Sequence, residues 1–190
     1  MTTLQNNIEI LNKKAISFGI LSPTKNALDK SIIDAIYSLR IFFKEKKYHN
    51  YEYQKKGENN KSLKSCKILL ENKIIDTKVS LYRPETKDGD PRIWIYKLKK
   101  FVSPNDNIFL IVREGNLFIF NSSKIDLKKV LNEQNNKNEI FLFFDNFKNE
   151  SNIAVELKDK LKKISCLGFL ESKKGDKEVG ELLERQLGIS

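Results

Sequence analysis

Four short runs rich in β-branched and aromatic residues, SLKSCKILLE, KIIDTKVSLY, NIFLIVRE and NLFIFNS, call for a sheet at the centre of this chain. The last two meet across Glu114-Gly115-Asn116, a spacing that predicts a β-hairpin. EIFLFFD further on is expected to be one more buried strand. Together these runs predict a small mixed or antiparallel sheet with flanking helices: an α/β fold, mostly β.

Helical periodicity is expected in four places, one of them the apolar set Val179, Leu182, Leu183 and Leu187 that follows a charged linker. Ile32, Ile36, Leu39 and Phe43, widened by Ile33 and Phe42, predict a helix over about 27–46, capped by Asn26 or Thr24. In DPRIWIYKLKKF, Trp94, Leu98 and Phe101 recur at helical spacing behind an Asp90-Pro91 start signal. A short helix is expected there, with a strand as the rival. SNIAVELKDKLKKI is amphipathic, with Ile153, Leu157, Leu161 and Ile164 on one face. Between helix and sheet, YHNYEYQKKGENNK has no sustained apolar face and predicts an exposed loop. Its three tyrosines beside lysines suit either base stacking or packing on their own domain.

With 190 residues, 39% of them hydrophobic, the chain can build one domain with a core, plus an appendage. The formal charge of +10 favours a polyanionic partner, although composition alone does not separate nucleic acid from an acidic membrane surface. Cys66 and Cys166 lie far apart and His49 is the only histidine, which leaves little material for a zinc site or a Cys-His nucleophile. Two buried, reduced thiols are expected. No signal peptide and no run near the roughly 20 apolar residues of a membrane span is visible. The expectation is a soluble cytoplasmic protein, monomeric and without a membrane partner.

The densest chemistry lies in LYRPETKDGDPRIW. Arg83, Glu85 and Lys87 alternate at a strand end, Pro84 and Pro91 stiffen the backbone, and Gly89 permits a turn between Asp88 and Asp90. Arg grips guanine O6 and N7 bidentately, and a carboxylate accepts from cytosine N4, so an Arg and a Glu on one rigid projection suit a G·C pair. The plain alternative is a surface salt-bridge cluster around a turn, which contributes little. A sharper rival is the PD-(D/E)xK nuclease skeleton, with Asp76 upstream of Glu85-Thr86-Lys87, or Asp145 with Glu156 and Lys158. Pro84 weakens the first because that site needs a paired strand; the second sits on a helical pattern. The remaining alternative is a basic protein-interaction domain.

The terminal GDKEVGELLERQLGI resembles the opening of the catalytic domain of MvaI/BcnI-type restriction endonucleases, and YRPETKDGDPRIW resembles the DNA-contacting arm of the B-three-like pseudobarrel of the EcoRII type. The resemblance implies a DNA-recognition or effector pseudobarrel over 1–172, followed by a linker and the start of a nuclease domain over 173–190. It implies double-stranded DNA as partner, a G·C-containing site such as CCWGG, and Arg83, Glu85, Lys87, Asp88, Arg92 and Trp94 as DNA-binding residues. Thr24, Lys25 and Asn26 stand where that family has a Gly-rich first arm. No catalytic residue, metal ligand or cofactor is implied for this domain; Mg²⁺ would serve the nuclease part beyond Ser190.

Overall fold

A computed structural model describes residues 2–57, 63–133, 137–145 and 147. Seven strands form one sheet: β1 (Gly19–Leu21), β2 (Ile33–Asp34), β3 (Lys64–Leu69), β4 (Ile74–Tyr82), β5 (Arg92–Ile95), β6 (Ile108–Arg113) and β7 (Asn116–Asn121). Their order is β1-β6-β7-β3-β4-β5-β2. All pairs are antiparallel except β3 with β7. The helices are α1 (Thr3–Lys13), α2 (Lys25–Lys30), α3 (Tyr37–Glu45), α4 (Leu127–Asn132) and α5 (Glu139–Asp145). The fold is mixed α/β and mostly sheet, curled into a half-barrel. None of the described helices is long and apolar enough to cross a membrane.

Two cores explain the sequence patterns. Inside the curl, Cys66, Ile68, Val79, Leu81, Ile93, Ile95, Leu110 and Ile119 pack with Leu39, Phe42 and Phe43 of α3. On the other face of β1, β6 and β7, Ile20, Phe109, Ile111, Phe118 and Phe120 pack with Leu11, Val130, Ile140 and Phe144 of α1, α4 and α5. Strands β6 and β7 are thus covered on both faces and read as continuous apolar runs, whereas β5 alternates because only one of its faces is covered. Gly19 lies where α3 crosses β1: a Cβ there would run into Leu39 Cδ2 in a filled core.

The four central strands form as expected. The β6–β7 turn has Glu114 at φ 51 and Gly115 at φ 73, the two positive angles of a type I′ hairpin. Cys66 is buried and free, and burial pushes its thiol up to about 12; Cys166 lies outside the described residues.

Three expectations are corrected. The single helix over 27–46 is two helices, because Ser31 turns left-handed at φ 53 and Ile33 pairs with Ile93 in the sheet. EIFLFFD is helix α5, not a strand. Asn138 Oδ1 accepts from the backbone N–H groups of Ile140 and Phe141 at 2.9 and 3.2 Å and so caps its first turn. DPRIWIYKLKKF takes the rival form: β5 is paired on both sides, and only Leu98–Lys100 closes a 3₁₀ turn after left-handed Lys97. Helix α1, with its Thr2–Gln5 capping box, has no counterpart among the sequence expectations. The amphipathic stretch after Ser151, the helical set over 179–187 and the 172/173 boundary lie outside the described residues.

Candidate nucleic-acid interface

The connection from β4 to β5 projects from one end of the half-barrel as a braced arm. Lys87, Asp88 and Gly89 carry φ of 51, 53 and 74, three consecutive left-handed residues. That conformation is unfavourable for a side chain such as lysine and persists only when its surroundings fix it. Arg83 does much of the fixing. Its Nε donates to the Gly89 carbonyl at 2.7 Å and its Nη1 to the Gln54 carbonyl at 3.3 Å. Its own carbonyl accepts from Gly57 N–H at 3.2 Å. Gln54 in turn donates to the Leu81 carbonyl at 3.1 Å. Arg83 therefore points into the arm, while Glu85, Thr86, Lys87 and Asp88 are exposed at its tip. Asp88 faces Lys56 at 3.8 Å.

Across from this tip stands the start of α2. Thr24 is its N-cap, accepting from Ala27 N–H at 3.2 Å, and Thr24, Lys25 and Asn26 are all exposed. A cleft of about 250 Å³ opens between the two, lined by Thr24, Asn26, Lys30 and Asp34 on one side and Tyr82, Thr86, Lys87 and Arg92 on the other. Tyr82, Arg92 and Asp34 are register neighbours across β4, β5 and β2 and form a row along the cleft. Arg92 pairs with Asp34 and faces Asp90 at 3.6 Å, its side chain only 11% exposed. It ties β2 to β5 and aligns the two arms. Trp94 lies two positions along the same face of β5, half-buried, with its ring 5.9 Å from that of Tyr96.

Of the residues singled out by sequence, Thr24, Asn26, Lys87 and Arg92 thus share one cleft. Lys25, Glu85 and Asp88 are exposed beside it, Arg83 is an internal brace, and Trp94 extends the outer face. A basic strip, unforeseen as a unit, continues from α2. Helix α2 packs on the Leu98–Lys100 turn, and Lys25, Lys30, Lys97, Lys99 and Lys100 are all exposed. None of the five has a carboxylate partner among the described residues. The Lys97 ammonium lies 4.8 Å from the Tyr96 ring centre.

The metal-nuclease arrangement gains nothing from this geometry. Asp76 faces Lys67 at 2.6 Å on the β3–β4 ladder. It lies six residues of extended strand before Tyr82, roughly 20 Å from the arm that carries Glu85. Of the second combination, Glu156 and Lys158 lie outside the described residues.

The loop over 48–57 has divided roles. Tyr48 and Tyr51 are buried, and the Tyr51 hydroxyl donates to the Arg92 carbonyl at 3.0 Å; Tyr53 is 85% exposed. His49 meets Tyr51 edge-on at 4.3 Å. Burial, helped by the Lys64 ammonium, pushes His49 down to about 4. The folded state therefore resists a proton that the unfolded state accepts near pH 6.5. Stability is undiminished by this group above pH 6.5 and declines as pH falls toward about 4. The full displacement corresponds to about 3 kcal/mol, and solvent screening of a partly exposed ring reduces it to about 1–2 kcal/mol. Denaturant melts at pH 7 and pH 4.5 should show this loss in the wild type and a smaller one in His49→Gln.

Comparison with known families, characterised proteins and solved structures finds no match for the chain.

Proposed function

We propose that this chain is a double-stranded DNA-binding domain, a pseudobarrel that reads a short G·C-containing site such as CCWGG through the major groove. One observation carries the reading. Two exposed arms distant in sequence, at Thr24–Asn26 and Glu85–Asp88, border one cleft beside a strip of five exposed lysines. Polar and charged tips of both signs are what base edges require, and lysines beside them suit phosphates, which position a protein without specifying sequence. Arg83 and Arg92 act as positioning residues that hold the arms. On the resemblance to EcoRII-type effector domains and MvaI/BcnI-type nucleases, the domain keeps a nuclease near its target and raises its effective concentration. DNA binding then needs no cofactor, and Mg²⁺ belongs to the nuclease part. A cytoplasmic monomer is the simplest state for such a domain.

A salt series of duplex binding tests the reading. Several phosphate contacts predict a steep loss of affinity between about 50 and 200 mM salt. Lys25→Ala and Lys99→Ala should each weaken preferred and random duplexes about equally and flatten the slope by about 0.9. Absence of duplex binding at low salt would replace this reading with the protein-interaction domain.

A further inference from the structure

A second, smaller pocket of about 140 Å³ lies on the other side of the arm, between α3 and the arm's root. Tyr37, Arg40, Ile41 and Lys44 line it from one face of α3, at the i, i+3, i+4 and i+7 spacing that puts side chains in a row. Arg83 and Glu52 line it from the arm and the preceding loop. Lys44 and Glu52 pair at 2.6 Å and cancel one another. What remains is two guanidinium groups around one small pocket. Arg83 has spent two donors on backbone carbonyls. Arg40 keeps one donor in reserve: its Nε is shielded from water and has no acceptor among the described residues, and its guanidinium carbon lies 5.6 Å from the centre of the Tyr37 ring. A charged donor removed from water without an acceptor costs free energy, and the described residues offer it nothing. The Tyr51 hydroxyl, also at this pocket, is committed to the Arg92 carbonyl.

We propose that this pocket is a phosphoryl-binding site with Arg40 as its principal ligand and Arg83 as its second. Guanidinium forks match phosphoryl oxygens, and two guanidinium groups lining so small a space favour a compact anion. The site stands on the pocket alone; its assignment to a DNA backbone phosphate, lying beside the base-reading arm, rests on the function proposed above.

The test has an anion arm and a DNA arm. In the anion arm, inorganic phosphate or sulfate is titrated into the full chain at ionic strength matched with sodium chloride, and the melting temperature is followed. At about ten times the dissociation constant, binding should raise it by about 3–5 °C in the wild type and leave Arg40→Gln unmoved. Without added anion, Arg40→Gln should melt at or above the wild-type temperature, because it removes an N–H donor that is buried without an acceptor among the described residues. A lower melting temperature, or complete failure to fold, overturns the proposal, since Arg40 would then be supporting the fold. An equal shift with acetate overturns the phosphoryl assignment, and a phosphate shift that persists in Arg40→Gln overturns the site. In the DNA arm, Arg40→Gln should lower affinity for preferred and random duplexes alike by about 5–10-fold and flatten the salt slope by about 0.9. A lost phosphate shift with unchanged duplex affinity supports the site for free phosphate and counts against DNA as its source.

Discussion

Replacing Asn7 with alanine should destabilise the domain by about 3–4 kcal/mol, the largest effect expected from any single buried polar group here. Asn7 is fully buried on α1. Its Nδ2 donates to Ser122 Oγ at 2.9 Å and to the Ile125 carbonyl at 2.8 Å, and its Oδ1 accepts from Leu127 N–H at 2.9 Å. One side chain thereby closes the turn after β7 and the first turn of α4 onto α1, the joint of the helical layer over β6 and β7. Alanine leaves a carbonyl and an N–H buried without partners, each costing about 1–3 kcal/mol. Asn7→Asp should be nearly as harmful, because a carboxylate would face the Ile125 carbonyl. Urea melts at constant slope check the figure; a loss below about 1 kcal/mol would mean that water enters the turn and replaces the amide. Duplex binding by the still-folded fraction should be unchanged, since no arm residue touches Asn7.

Asn7 also shows what a sequence conceals. The sheet was legible because its runs are long enough to carry a pattern and Glu114-Gly115 announces its own turn. The helix over 27–46 misled because Ile32, Ile33 and Ile36 fit a helical stripe; only the pairing of Ile33 with Ile93 pulls the chain out of it. EIFLFFD misled for a different reason: burial follows a helical period, but the exposed position between its two buried pairs is the apolar Leu142, so the sequence reads as an unbroken run, and the discriminating residue was Asn138 just before it. Residue type left the cap open between Thr24 and Asn26, and only the helix start at Lys25 decides for Thr24. At the candidate site, residue types single out the 83–94 segment but say nothing of what each side chain touches. Nothing local says that Arg83 turns inward to Gly89 and Gln54, because Gln54 arrives from a loop 29 residues upstream. Arg40 is equally silent in sequence: an arginine on a helix is ordinary until the surrounding side chains are known.

Arg83→Ala should have the largest effect on binding. With the guanidinium gone, the carbonyls of Gly89 and Gln54 lose their tie, and the left-handed Lys87-Asp88-Gly89 turn loses the contact that offsets its strain. The exposed tip would then sample many conformations, and DNA would have to reorder it at a cost in affinity. The expected result is a loss of about 10–100-fold on the preferred duplex, a smaller loss on random duplex, and therefore a flattened preference. Arg83→Lys should not restore it, because one ammonium cannot reproduce two guanidinium bonds to carbonyls on separate segments. Glu85→Gln offers the contrast: it alters a tip residue, so it should change which sequence is preferred without loosening the arm. Amide exchange separates bracing from direct reading. The Gly89 and Asp90 N–H groups bond to the Thr86 and Lys87 carbonyls at 3.2 and 3.1 Å, and their protection should collapse in Arg83→Ala while staying intact in Glu85→Gln. Intact protection in Arg83→Ala together with a lost preference would instead place the Arg83 guanidinium on a base. Intact protection with unchanged binding would remove the arm from the interface and take Arg83 out of the phosphoryl site, leaving DNA contact to the lysine strip and Arg40.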